Sequence, residues 1–339
     1  MSNLLLYIRK EENPYEYRTP LVPKDIEILI EKGCIIYIES SNERVYTDSE
    51  YEAVGAIITN DKWYNIKFKD AFIIGIKQFI ELEKLNNHTH IFFSHTFKQQ
   101  KESKQILGYF SKSNSTLYDL EYFLDINFHR RIAFGYYAGI VGCILGLQQY
   151  IEHNLSNLVA WNSYDSMLQS IDQKKLKNTN IKIAVIGANG RCGQGVQKIL
   201  QHFHLDYTSF TRNSSIDIVN TYDLVFNCIV LDPSYNQVWF SNKSEYRKDC
   251  TIVDISCDYA SKNNPIAIYN TPTTWENPVF HYNSYINIIA IPNLPSLLPK
   301  ESSNEFSEDL TKLLLEYEKD TNYTWKNNLH HYFKNIKYI

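Results

Sequence analysis

Between residues 181 and 201 the chain carries a strand–glycine–helix pattern that few folds can accommodate. The run Ile181-Lys182-Ile183-Ala184-Val185-Ile186 reads as a buried strand, and Gly187, Gly190 and Gly193 follow it at once. An amphipathic helix then extends through Gln201. A first glycine permits the tight turn, a second lets the backbone approach a pyrophosphate, and a third lets helix and strand pack closely. The diphosphate then lies at the helix N-terminus, where unpaired N–H groups and the dipole favour negative charge. The spacing is GxxGxxG, a variant of the dinucleotide fingerprint, and its place between a strand and a helix makes it a candidate cofactor site. Gly187, Gly190, Arg191, Cys192 and Gly193 are the candidate binding residues.

The end of the next strand, Leu205 to Phe210, bears on which dinucleotide binds. An NAD site usually places Asp or Glu there for the ribose 2′-hydroxyl, whereas this chain reads Thr211-Arg212-Asn213-Ser214-Ser215. A neutral residue followed by arginine suits a 2′-phosphate, which a guanidinium can bind through two hydrogen bonds. Thr211, Arg212 and Ser215 therefore favour NADP(H) over NAD, the competing reading being that Arg212 is only a solvated loop charge.

A chain of 339 residues exceeds one comfortable core and predicts two domains. Strand-like and helix-like segments alternate: 4–8, helix 23–32 with proline at its start, 34–39, 71–76 and 90–94. That grammar predicts an α/β domain with a mostly parallel sheet. The small residues Ala138, Gly139, Gly142 and Gly146 on a helix spanning 135–150 suit close packing, read here as a domain-bridging helix. A polar stretch, 163–180, leads into the second α/β unit, and the helical tail from Glu305 is expected to pack back on the first domain. The expected division is 1–133 plus 297–339 for the substrate domain and 134–296 for the dinucleotide domain. The net charge of −4 argues against a nucleic-acid surface. No apolar stretch reaches bilayer length and no signal peptide is evident, so a cytoplasmic location is expected. Six cysteines without CxxC or Cys/His spacing predict thiols and no metal site.

Several blocks recur in a familiar order: Tyr17-Arg18-Thr19-Pro20-Leu21-Val22-Pro23, Gly75-Ile76-Lys77, Ser94-His95-Thr96-Phe97-Lys98, 116–121 and 134–139. Gly190-Arg191-Cys192-Gly193, Asn227-Cys228-Ile229, Val253-Asp254-Ile255-Ser256 and 294–299 continue it. Together they resemble the lysine-forming saccharopine dehydrogenases of the alanine dehydrogenase and transhydrogenase superfamily. The resemblance implies an α/β fold of two Rossmann-like domains separated by a cleft, the first completed by the C-terminal helix. It also implies oxidation of a secondary amine, saccharopine, by a nicotinamide dinucleotide, with hydrolysis of the resulting imine to lysine and 2-oxoglutarate.

By that resemblance Lys77 is the base for the amine and His95 the acid–base group of imine hydrolysis. Such groups serve best when they titrate near neutrality. Arg18 matches a substrate-carboxylate arginine, and Lys98, Gln100, Glu121, Phe134, Ser256 and Asp258 are the other implied substrate residues. Arg130 and Arg131 lie one residue further from Glu121 than in the family pattern, so the second cationic role is open between them; Arg131 is set on the substrate and Arg130 on the cofactor. Cys192, Cys228, Val230, Ile255, Asn293 and Leu294 are implied at the cofactor. The two cysteines match a pair that can form a disulfide, and two reduced thiols are the default in cytosol. No metal is implied, and the assembly expected is a monomer or a weak homo-oligomer.

Two departures stand out. Gln78 replaces a glutamate after Lys77, and Pro292-Asn293 replaces an acidic residue and a histidine. The latter arrangement looks like N5-(carboxyethyl)ornithine synthase, which condenses pyruvate with ornithine or lysine. That gives a second reading, an NADPH-dependent opine-type synthase, and the lost charges give a third, a catalytically silent dinucleotide-binding protein. Alanine dehydrogenase fits poorly, because so small a substrate would not need this array of cations.

Overall fold

The computed structural model describes residues 4–67, 70–98, 103–211, 218–231, 237–259, 261–317, 323–337 and 339. The chain divides into two compact units, Met1–Ala133 with Pro299–Ile339, and Phe134–Leu298.

In the first unit short, largely apolar segments form a parallel sheet. Its strands are β1 (Leu5–Ile8), β2 (Ile35–Glu39), β3 (Ile57–Thr59), β4 (Phe72–Ile74), β5 (Thr89–Phe92) and β6 (Thr116–Asp119), in the order β3-β2-β1-β4-β5-β6. The chain runs outward from β1 to one edge and restarts at β4 beside it. The carboxyl ends of β1 and β4 therefore flank the switch point where open α/β sheets bind ligands. Two helices come early: α1 (Pro23–Glu31), which starts on a proline as its sequence predicts, and α2 (Asp48–Glu52), which starts on a Thr47/Glu50 capping box. Next is α3 (Ser103–Lys112).

The second unit opens with α4 (Gly135–Glu152), then α5 (Tyr164–Gln169) and α6 (Gln173–Lys177) within the stretch read from sequence as merely polar. Ser163 and Asp172 cap these two short helices, so side-chain oxygens nucleate structure that hydrophobic periodicity does not announce. The second sheet comprises β7 (Ile183–Ile186), β8 (Thr208–Phe210), β9 (Leu224–Asn227), β10 (Cys250–Asp254), β11 (Phe280–His281) and β12 (Ile286–Ile289). Its order is β11-β12-β10-β9-β7-β8, parallel except at the β11 edge, and its switch point lies between β7 and β9. β7, β9 and β10 are buried throughout, as strands covered on both faces must be.

The glycine-bearing helix is not a bridge between domains. Helix α4 lies wholly in the second unit, against α7 (Arg191–His202) and the sheet. A Cβ on Gly139 would overlap the Cys192 carbonyl of α7, and one on Gly195 would overlap the Tyr136 carbonyl of α4. The small residues therefore bring these two helices backbone to backbone.

The tail returns to the first unit as α8 (Pro299–Leu315) and α9 (Tyr323–Ile336). Ser303 and Ser307 of α8 accept hydrogen bonds from the Thr19 and Val22 N–H groups at 3.0 and 2.9 Å. Helix α9 packs on β6. Among the described residues no helix is long and apolar enough to cross a membrane.

Candidate active site

Polar side chains gather where β1, β4, β5 and β6 end. Just past β1, Glu11 is buried and accepts the Ile76 and Lys77 N–H groups at 2.6 and 2.9 Å. It thereby fixes the backbone of Lys77 in the loop after β4. Burial pushes the Glu11 carboxyl up, and Arg9, 3.6 Å away, counters this. Buried Arg9 lies so close over Gly75 that any Cβ there would overlap its guanidinium. Its flanks face the rings of Phe79 and Phe92 at 5.4 and 5.9 Å.

Beside this pair, Arg18 forks onto Glu16 with hydrogen bonds of 2.7 and 2.6 Å, both residues buried. Burial alone would raise the Glu16 carboxyl, but Arg18 and then Lys77 outweigh it and leave Glu16 below the usual carboxylate range. Lys77, half-buried, thus lies within electrostatic reach of Glu16.

The ends of β5 and β6 supply a second group. His95 Nδ1 stands 3.3 Å from Glu121 Oε2, and Arg130 Nη2 stands 3.1 Å from Glu121 Oε1. The imidazole is 45% exposed while the carboxylate behind it is only 6% exposed, an arrangement that presents the ring to a ligand and holds it from behind. His95 has φ +54°, the left-handed region that non-glycine residues seldom occupy. Buried Asp119 accepts from Ser94 Oγ at 2.6 Å and from the Glu121 N–H at 2.9 Å. Burial pushes its carboxyl up to about 6.

Arg131 forks onto Glu316 at 2.5 and 2.9 Å, beyond the end of α8. Lys98 ends the short 3-10 turn Thr96–Lys98, and Gln100 lies outside the described residues. Phe134, Ser256 and Asp258 belong to the second unit. Phe134 is the N-cap residue of α4 and is buried, Ser256 donates its hydroxyl to the Ile229 carbonyl, and Asp258 is half-buried.

In the second unit, Gly187 leaves β7 at φ +81° and donates to the Phe210 carbonyl at 2.9 Å. A Cβ there would sit 2.9 Å from the Cys228 carbonyl, and one on Gly193 would overlap the Gly187 carbonyl. The turn is therefore as tight as a dinucleotide cradle requires, with Gly190 exposed as the N-cap of α7. These residues fit a dinucleotide diphosphate: Gly187 to Arg191 would hold it, and the group itself would supply a hydride-accepting ring. Arg191 is exposed, and so is Thr211 at the end of β8, while Arg212 and Ser215 lie outside the described residues. Cys192 is half-buried and Cys228 is a buried thiol; burial first, and Cys192 next, hold the Cys228 thiol well above its ordinary range. Val230 is exposed on the loop after β9. Ile255 and Leu294 are buried and lie against the position of Gly142 in α4. Asn293 accepts a 3.0 Å hydrogen bond from the buried Trp275 indole. Among the described residues no group of three or more His, Cys, Asp or Glu could hold a metal ion.

Residues 7–141 match the family model described as the alanine dehydrogenase/PNT N-terminal domain. A saccharopine dehydrogenase [NAD(+), L-lysine-forming] of Schizosaccharomyces pombe is 33% identical, over 91% of this chain and 92% of its own. Its counterpart from Candida glabrata is 34% identical over 91% and 90%. The chain belongs to the lysine-forming saccharopine dehydrogenase family. The wider fold agrees: a solved L-alanine dehydrogenase superposes with a TM-score of 0.72 at 13% identity, covering 97% of this chain and 94% of the other. A transhydrogenase from Sinorhizobium meliloti gives 0.66 at 13% identity, over 91% and 92%.

Within the saccharopine dehydrogenase framework, sequence reading singled out Lys77, His95, Arg18 and Glu121, and these lie at the strand ends of one sheet. It missed Arg9, Glu11, Glu16 and Asp119. For Arg9 and Glu11 the available signal was positional: charged residues just after the wholly apolar strand β1 stand at the ligand-facing edge.

Proposed function

We propose that the chain catalyses the reversible, dinucleotide-dependent oxidation of saccharopine, with water, to L-lysine and 2-oxoglutarate. One observation carries this reading beyond family membership. A half-buried lysine near an acidic pair, and an exposed imidazole backed by a buried carboxylate and an arginine, share the carboxyl edge of one sheet. Lys77 takes the proton of the secondary amine, and a dinucleotide held at Gly187 to Arg191 would supply the hydride acceptor. His95 then removes a proton from the water that attacks the imine carbon and returns one to the leaving amine. Glu121 orients the ring through its contact with Nδ1. Arg18 and Arg130 hold substrate carboxylates, and the fork from Arg131 to Glu316 supports giving the second role to Arg130. The first unit serves the substrate and the second the dinucleotide.

For the cofactor, Thr211 followed by Arg212 supports NADP(H), although the relatives named above are NAD(+) enzymes. The test crosses lysine or ornithine with 2-oxoglutarate or pyruvate, and follows oxidation of NADH and of NADPH. Lysine with 2-oxoglutarate is expected to turn over best. Turnover with pyruvate alone overturns the reading in favour of an opine-type synthase. Arg212→Ala should raise KM for NADPH far more than for NADH; equal effects refute the 2′-phosphate assignment.

A further inference from the structure

Asp119 has no place in the chemistry above, yet it is bonded to Glu121 and to Ser94, the residue before His95. It closes β6 and is fully buried. Its Oδ2 accepts the Ser94 hydroxyl at 2.6 Å. Ser94 Oγ in turn lies 2.8 Å from Thr96 Oγ1 and accepts the Thr96 N–H at 3.3 Å. The two neighbours of His95 are thus tied to one carboxylate, across a residue held at φ +54°. A backbone in that region persists only where its surroundings over-determine it. Asp119 Oδ1 meanwhile accepts the Glu121 N–H at 2.9 Å. From behind, Asn328 of α9, itself fully buried, accepts the Asp119 N–H at 3.0 Å and donates to its carbonyl at 2.8 Å. Every polar group of Asp119 is engaged, and each bond leads to His95, to Glu121 or to a fixed helix.

We propose that Asp119 is the positioning residue of this site: its carboxylate holds the Ser94–Thr96 turn, and through it His95, in register with Glu121. The inference rests on His95 being the proton-handling group of the proposed reaction. The charged and titratable groups facing Asp119 are Glu121, His95 and Tyr122, with Arg130 beyond Glu121; β5 presents Ser94 and α9 presents neutral Asn328. Asp119 therefore also places a negative charge toward His95, and that charge is lost as the carboxyl protonates near pH 6.

Three variants test it. Asp119→Ala removes both anchors and should cut kcat by about 10- to 100-fold, the scale of a sub-ångström to 1 Å misplacement. KM for both substrates should stay within about threefold, because no substrate contact is lost. Asp119→Asn keeps the shape, its carbonyl accepting the Glu121 N–H and its amide donating to Ser94. It should restore most of kcat while moving the pH–rate limb of this cluster to lower pH, since a charge that favours protonated neighbours is gone. Ser94→Ala should lower kcat in the same direction, and it carries the decision if Asp119→Ala does not fold. A folded Asp119→Ala with unchanged kcat and pH limb overturns the proposal, and so does an unaffected Ser94→Ala. The NMR titration of the His95 imidazole, assigned by its loss in His95→Asn, needs no substrate. A His95 titration that shifts in Asp119→Asn while the wild type ignores lysine and 2-oxoglutarate refutes the reaction and supports the positioning role. Normal turnover with a titration indifferent to Asp119→Asn refutes the positioning role alone.

Discussion

Arg130 and Arg131 are adjacent in the chain yet meet different carboxylates. Leu124 and Arg130 form an antiparallel bridge, and successive side chains of an extended segment point to opposite faces. One arginine therefore turns to Glu121 and the other to Glu316. Arg130→Ala should lower kcat/KM by at least about tenfold, whereas Arg131→Ala should change it by less than about threefold, as losing one partly exposed ion pair costs about 1 kcal/mol or less. Steady-state kinetics on the two variants checks this. Lys77→Met should lower kcat by roughly 10²–10⁴-fold with dinucleotide affinity unchanged, the range for a lost general acid–base group. Near-normal turnover would remove Lys77 from its role. The Glu16–Arg18 fork belongs at this scale too. Glu16 titrates lower in the folded state than in the unfolded chain, so its stabilisation is present above the ordinary carboxylate pKa and fades as pH falls through the lowered value. Glu16→Gln should cost about 3 kcal/mol at neutral pH by withdrawing the charge from a buried arginine, with the deficit shrinking in acid. Urea denaturation at several pH values measures both.

Helix α9 works as an edge cover for β6. The Asn328 amide pairs with both backbone groups of Asp119 as a neighbouring strand would, and Tyr332 donates its hydroxyl to the Ser115 carbonyl at 2.6 Å. An open strand edge leaves backbone groups unpaired, and here one side chain closes it. Asn328→Leu should strand a buried N–H and a buried C=O and cost about 2–4 kcal/mol, read as a fall in Tm. An unchanged Tm would mean that α9 can be undocked from β6 without penalty. The tail was legible from sequence as a helical segment belonging to the first domain, but its polar contact was not. Nothing in Asn328 itself distinguishes a surface asparagine from one that completes a sheet. The same holds for α5 and α6, whose existence rests on caps and not on an apolar stripe.

Each of the two units has its own sheet and its own switch point, and the chain leaves the first unit at Ala133 to return at Pro299. A ligand held in the second unit should stabilise that unit most directly. At a hundred times its Kd, dinucleotide adds about 2.7 kcal/mol to the stability of whatever unfolds with its site. Thermal unfolding should therefore show a nucleotide-sensitive transition, with protection from hydrogen exchange concentrated in β7, α7 and β9. Protection confined to β1 and β4 instead would place the dinucleotide in the other unit.

Much of this protein is written in short-range pattern. Apolar runs of four to six residues, glycines directly after a strand, and proline at a helix start announce two α/β units and the cradle at Gly187, because those preferences are local and steric. Ordered blocks such as Gly75-Ile76-Lys77 and Ser94-His95-Thr96 marked the family and the side chains proposed to react. The partners of those side chains were decided elsewhere. Glu11 is 66 positions from the Lys77 N–H it accepts, Asn328 is 209 from Asp119, and Glu316 is 185 from Arg131. Such pairings exist only once parallel strands have been laid side by side in a particular order, because strand order, which no local preference encodes, determines which loops share an edge.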